Sequence, residues 1–237
     1  MNDIFHVHTY RCGHAENILD ETYITRAIEL GANSITFTDH APFPENPFGS
    51  RMAFSELPEY ISSLVELKGR YKEIIDVKIG LEIEYLPSFK AYYHELSENE
   101  NIDLLMIGQH FFEIEPGKYS FSYPEVCPEY IGCLSAITEG INTGLFQVVA
   151  HPDRAFRKIK IWTSECDIIS KKVIDAASKN NVALELNFAS MNRKNNYWDE
   201  FWKLTGPENK IIEGIDAHKL KDIDKYCERN VIKRRGR

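Results

Sequence analysis

Seven short β-rich runs recur along this chain, and each carries a histidine or a carboxylate near its C-terminal end. They are DIFHVHT (3–9), SITFTDH (34–40), DVKIGLEIEY (76–85), DLLMIGQHF (103–111), LFQVVAH (145–151), VALELNF (182–188) and KIIEGIDAH (210–218). Helical patterns stand between most of them. The first spans Asp20 to Leu30, with Tyr23, Ala27, Ile28 and Leu30 on its apolar side and Gly31 as its stop. The second starts near Ser55 as N-cap, tolerates Pro58 in its first turn, and spaces Leu57, Ile61, Leu64 and Tyr71 helically. A third occupies roughly 124–140, a fourth follows Ser164 with Ile169, Val173 and Ala177 on one face, and a fifth follows His218. Strands alternating with helices predict an α/β fold with a parallel sheet covered by helices. Seven strands suggest a (β/α) barrel one unit short of the common eight, with an open doubly wound sheet as the alternative. No linker or low-complexity stretch interrupts the pattern, so residues 1–237 read as one domain.

Composition narrows the function. A net charge of −8 and a pI near 5.5 argue against a basic nucleic-acid-binding field. An anionic substrate stays compatible with that charge if a metal supplies the positive one. The five cysteines, at 12, 127, 133, 166 and 227, form no C-x-x-C pair and fit neither a disulfide framework nor a thiolate zinc site. A cytoplasmic location is expected from them. MNDIFHVHTY is no signal peptide, no apolar run reaches the ~18 residues of a membrane span, and KRRGR reads as a short solvated tail. Phosphate-loop, dinucleotide and G-x-S-x-G signatures are missing, and His94-Glu95 lacks the second histidine of H-E-x-x-H. Trp198 and Trp202 read as helix packing rather than a base-stacking platform.

The chemistry gathers at the strand ends. His6 and His8, Asp39 and His40, Glu82 and Glu84, His110, His151, Glu185 and Asn187, then Asp216 and His218 each close a run. In α/β barrels that is the end where active sites are built. His6-x-His8 and Asp216-x-His218 are i, i+2 pairs, which on a strand share a face. Any one of these histidines alone is most simply a buried, hydrogen-bonded residue. Seven of the eight at strand ends or adjoining loops call for a common partner, and divalent metal is the natural one. His6, His8, His14, His40, Glu82, His110, His151, Asp216 and His218 are nine potential ligands, enough for two or three ions sharing a carboxylate, with Glu82 as the bridge. Zinc, manganese and iron all suit imidazole and carboxylate. His94 reads as a surface residue. Glu84, Glu185 and Asn187 read either as groups that orient ligands or as plain polar strand ends.

HVHT, CGH, FTDHAPFP, GLEIEY, GQHF, AHPDR and IDAH stand in the order of the motifs of the PHP (polymerase and histidinol phosphatase) superfamily. The chain resembles that superfamily from about residue 4 to 220, and RCGH with TDHAPFP resembles its histidinol-phosphate phosphatases in particular. One departure is Ile215 before the aspartate, where a small residue is usual. The resemblance implies a distorted (β/α)7 barrel with up to three divalent ions at the C-terminal end of the strands. It assigns His6, His8, Glu82 and Asp216 to the first ion, Glu82 with His110 and His151 to the second, and His14, His40 and His218 to the third. Arg154 and Arg193 match the arginines that hold a substrate phosphate. The implied reaction is hydrolysis of a small phosphate ester, L-histidinol phosphate first, by a metal-bound hydroxide, with Asp216 a candidate to protonate the leaving alkoxide. The alternative substrates are a small phosphodiester, a phosphotyrosine peptide or a nucleic-acid 3′ end. A non-catalytic metal-binding module is the reading from a different class. No membrane or nucleic-acid partner is expected, and oligomeric state stays open.

Overall fold

A computed structural model describes residues 3–235, with side chains through residue 229, so the side chains of the KRRGR run lie outside it. In chain order the elements are β1 (Ile4–Val7), α1 (Asp20–Glu29), β2 (Ser34–His40), α2 (Leu57–Tyr71), β3 (Asp76–Ile83), α3 (Lys90–Ser97) and β4 (Leu104–Ile107). There follow β5 (Glu113–Glu115), β6 (Lys118–Tyr119), α4 (Glu129–Asn142), β7 (Val148–Val149), α5 (Ser164–Lys179), β8 (Ala183–Asn187), α6 (Phe188–Met191), α7 (Asp199–Trp202), β9 (Ile211–Gly214) and α8 (Leu220–Arg235). Seven strands form one sheet in the order β1-β2-β3-β4-β7-β8-β9, and β5-β6 is a separate antiparallel hairpin. Every strand of the large sheet lies beside its predecessor in the chain. That order has no reversal point, which a doubly wound sheet requires, and it is the order of a (β/α)7 barrel.

The chain divides into two compact units. One holds the described residues up to Glu82, with Glu100–Asp103 and those from Gly214 onward; the other holds Ile83–Asn99 and Leu104–Glu213.

In the first unit β2 pairs in parallel with β3 from Ser34 opposite Asp76 to His40 opposite Glu82. α1 buries Tyr23, Ile24 and Ala27, and Tyr23 meets Phe37 of β2 edge to face. Gly31, at φ 72°, closes that helix by donating to Ile28 O, as the sequence predicts. α2 buries Tyr60, Ile61, Leu64 and Leu67. Its start differs from expectation: Ser55 sits inside a 3-10 turn, Phe54–Glu56, and Glu56 accepts the Ala53 N–H. The segment after β9 returns to β1, where Ile215 N–H donates to Phe5 O and Ala217 N–H to His6 O.

In the second unit β7 pairs with β4 and β8, Val148 lying opposite both Met106 and Ala183. α5 buries Ile169, Val173 and Ala177 as expected. α4 begins at Glu129 rather than near 124, because Pro124 and Pro128 lack the N–H groups a helix interior needs. Gly140 of α4 is tightly placed: a Cβ there would come 2.8 Å from Ile107 Cδ1 and 3.0 Å from Tyr85 Cβ. Gly140→Ala is expected to cost a net ~1–2 kcal/mol, overpacking outweighing the ~1 kcal/mol gain in helix propensity, and urea unfolding measures it. No helix among the described residues is long and apolar enough to cross a membrane.

Candidate metal centre

Seven of the nine candidate ligands belong to the first unit, and its fold brings them together. His6 lies within β1 and His8 just beyond it, both wholly buried. Their shared direction does not come from simple strand alternation. The register between β1 and β2 slips at His6, which takes a left-handed φ of 71°. Asp216 likewise sits beyond β9 at φ 58°, and His151 in the second unit has φ 30°. Left-handed backbone at non-glycine residues costs about 1–3 kcal/mol each and persists where the surroundings enforce it, commonly at functional sites.

The bulge leaves His6 Nε2 3.0 Å from His8 Nε2. Glu82 Oε2 lies 3.4 Å from both nitrogens and 3.1 Å from His40 Nδ1. Asp216 Oδ1 lies 3.3 Å from His8 Nε2 and 3.3 Å from His218 Nδ1. His218 Nε2 in turn meets His14 Nε2 at 2.9 Å. Two pairs of imidazoles thus point their ring nitrogens at each other. Tetrahedral zinc with nitrogen ligands at about 2.0–2.1 Å separates two of them by roughly 3.3 Å, so these spacings fit shared ions. Ligand atoms of His6, His8 and Asp216, of His8, His40 and Glu82, and of His14, His40 and His218 lie within 4.8 Å of one another in each group. The donor set therefore fits more than one divalent ion.

Burial by itself would lower the pKa of His8, but hydrogen bonds to Asp216 and Asp39 and the Glu82 charge push it up to about 9. Burial and the neighbouring His8 charge drive His218 the other way, down to about 3. Burial would raise Asp216, yet the bond to His8 and the charges of His6, His8 and His218 hold it well below the usual carboxylate range.

Sequence reasoning placed Asp39 at a strand end without giving it a role. It is fully buried, with Oδ1 3.5 Å from His8 Nδ1. Thr9 Oγ1 donates to its other oxygen, and Arg11 Nη1 reaches Thr9 Oγ1 at 3.2 Å. Arg11 is itself fixed by Asp20 and Glu59. Asp39 therefore places a buried carboxylate beside the outer nitrogen of His8. Asp39→Asn is expected to cost about 10–100-fold in metal affinity, read by chelator competition. Cys12 was also passed over; its buried sulfur lies within 4.8 Å of ligand atoms of His8 and His218. Burial and the Asp39 charge push its thiol up to about 12.

The second unit holds His110, His151, Arg154 and Arg193. The His110 and His151 rings lie 5.4 Å apart. Glu84 is buried and accepts from His110 Nδ1 at 3.0 Å, so it orients that ring instead of being solvated. Glu185 accepts the His151 main-chain N–H and an Asn187 Nδ2 hydrogen, fixing the strained residue in place. Arg154 Nη1 lies 3.3 Å from His110 Nε2. Arg193 is exposed in the turn after α6. Asp153 draws together the Trp198 N–H and the Trp202 indole N–H on one oxygen, which anchors the segment following that turn. His94 is exposed, as its polar helical context predicts.

An uninterrupted parallel (β/α)7 sheet whose strand ends gather imidazoles and carboxylates defines a barrel built around a multinuclear metal centre. The chain belongs to the PHP domain family, whose model matches residues 5–189. It is 25% identical to the histidinol-phosphatase of Bacillus subtilis, over 92% of this chain and 94% of that protein. It is 31% identical to a "Probable histidinol-phosphatase" of Deinococcus radiodurans, over 62% of this chain and 59% of that one, so this match spans well under two thirds of the relative's length. The histidinol phosphate phosphatase of Lactococcus lactis, crystallised with Zn, L-histidinol and phosphate, superposes with a TM-score of 0.70 at 24% identity, covering 98% of this chain and 92% of that one. A Listeria monocytogenes crystal structure reaches a TM-score of 0.77 at 18% identity, covering 94% and 97%. Both carry the same fold.

Proposed function

We propose that this chain is a cytoplasmic, metal-dependent phosphomonoesterase that hydrolyses L-histidinol phosphate to histidinol and phosphate. The observation that carries the reading is the convergence of His6, His8, His14, His40, Glu82, Asp216 and His218 on shared positions, in a chain similar over most of its length to histidinol-phosphatases. His6, His8, Glu82 and Asp216 would hold one ion and His14, His40 and His218 another, with His110 and His151 supplying further ligands. Bound divalent ions would supply an activated water at neutral pH and neutralise charge on the phosphoryl group.

The chain's own groups do the rest. Glu84 holds the His110 ring so that ligation does not have to order it, and Asp39 would do the same for His8 from the carboxylate beside its outer nitrogen. Arg154, lying against His110 Nε2, is placed to give its planar fork to phosphate oxygens. Arg193, exposed in the turn before the segment that Asp153 anchors, is the second arginine offered for the same group. Asp216 would serve as a metal ligand, and the bond to His8 with the neighbouring imidazole charges, against the effect of burial, holds its carboxyl well below the usual range.

The test is phosphate release from L-histidinol phosphate beside p-nitrophenyl phosphate, by protein loaded with zinc or manganese. Strong preference for the first supports the reading. Weak, equal turnover of both keeps the phosphatase and discards the substrate, and no turnover of either overturns it. Arg154→Ala is expected to lower kcat/KM for the preferred ester by about 10–100-fold, as for loss of a charged hydrogen-bond donor.

A further inference from the structure

A cavity of about 430 Å³ in the second unit has the candidate ligand His110 in its wall and carries other charged groups to which the phosphatase reading gives no role. Its apolar wall includes Phe111, Phe121, Tyr130 and Pro128. Its charged groups are Glu129, Arg157 and Lys158. Glu129 is 13% exposed and both its oxygens are engaged: Oε1 lies 2.6 Å from Arg157 Nη2, and Oε2 pairs with Lys158 Nζ. The carboxylate is thereby paired with both cations.

Donors remain. Arg157 uses only Nη2, on Glu129 and on the His110 carbonyl at 3.4 Å, so among the described residues its Nε and Nη1 hydrogens are uncommitted. Lys158 spends one of three ammonium hydrogens on Glu129. The Ser120 hydroxyl, also in the wall, accepts the Phe112 N–H and keeps its own hydrogen to give. Two positive groups and one negative line the cavity, the further carboxylate Glu165 is taken by the Tyr130 hydroxyl, and the surplus donors between aromatic walls favour an anion. A cationic ligand would compete with Arg157 and Lys158 for a carboxylate already shared, and a purely apolar one would leave the donors unused.

We propose that this cavity binds an organic anion, a carboxylate or phosphate group on a flat apolar body, with Arg157 and Lys158 taking the anion and Phe121 and Tyr130 covering the body. Because Arg157 also holds the main chain of His110, occupancy is coupled to the position of that histidine. The inference does not depend on which ester the protein hydrolyses.

Calorimetric titration of the purified, metal-loaded chain with benzoate, benzyl alcohol and benzylamine tests it. Benzoate is expected to bind about ten-fold more tightly than the neutral and cationic analogues, the scale of one charge-assisted hydrogen bond. Arg157→Met and Lys158→Met should each remove most of that advantage. Lys158 is 65% exposed, so its variant keeps the fold and decides the matter if Arg157→Met does not. Benzoate binding unchanged in Lys158→Met would place the anion elsewhere and overturn the proposal. Preference for benzylamine, or equal affinity for all three, would overturn it as well.

Discussion

Glu82→Ala is expected to strip the protein of metal and of phosphatase activity together. The carboxylate is 1% exposed, and one of its oxygens stands within 3.4 Å of nitrogens from His6, His8 and His40. Two further carboxylates of the first unit stand near these rings: Asp216, 3.9 Å from His6 and 3.3 Å from His8, and Asp39, 3.5 Å from the outer nitrogen of His8. Without Glu82, a divalent ion would meet clustered imidazoles with one carboxylate fewer, and charge neutralisation at such a site is worth several kcal/mol. Turnover should fall by about a thousand-fold or more. Elemental analysis should show the loss of at least one equivalent of metal per chain. Glu82→Gln, nearly isosteric, separates charge from shape: it should fold as the parent does and lose metal almost as completely. Full metal content with activity retained in either variant would sink the shared-carboxylate arrangement.

Removing the metals by chelation should have the second large effect, on stability. An ion that binds only the folded state at about a thousand times its Kd contributes roughly 4 kcal/mol. For a chain of this size each kcal/mol moves Tm by about 2–4 °C, so chelation should lower Tm by roughly 8–16 °C. Readdition of zinc or manganese should restore it. The direction is reinforced by the geometry, since the close His6–His8 and His14–His218 approaches lose the ions that they fit. A Tm unmoved by exhaustive chelation would mean that the cluster does not load metal.

The large sheet was legible because its signal is redundant. β2 occupies the run Ser34–His40 that the sequence marks, buried on both faces as a parallel strand must be. β7 keeps only Val148 and Val149 of a seven-residue run, because pairing is needed over only a short stretch while apolar character extends further. The hairpin β5-β6 was not read, although Pro116-Gly117 between two short runs is a turn signal, with Gly117 at φ 79°. Strand period alone proposes the right partners for His6 and Asp216 for an incomplete reason: the pairing depends on a bulge and on left-handed backbone, which no pattern of side-chain types encodes. Asp39 was hidden for a different reason. A lone buried carboxylate beside His40 shows its purpose only once the fold sets it against His8, a residue from another strand.

The candidate ligands come from both ends of the sequence, and this sets an order of assembly. His6, His8, His14, His40 and Glu82 all lie within the first 82 residues, whereas Asp216 and His218 follow more than 130 positions later. The contact between His14 and His218 spans 204 residues, a loop whose closure comes late in folding. An ion arriving early would meet five of the proposed donors on one stretch of chain and an incomplete shell. It would be locked only when the return segment hydrogen-bonds to Phe5 and His6 and brings the last two proposed donors with it. A metal held this way would be a clasp as well as a reagent, joining the segment around His6 to the one around His218.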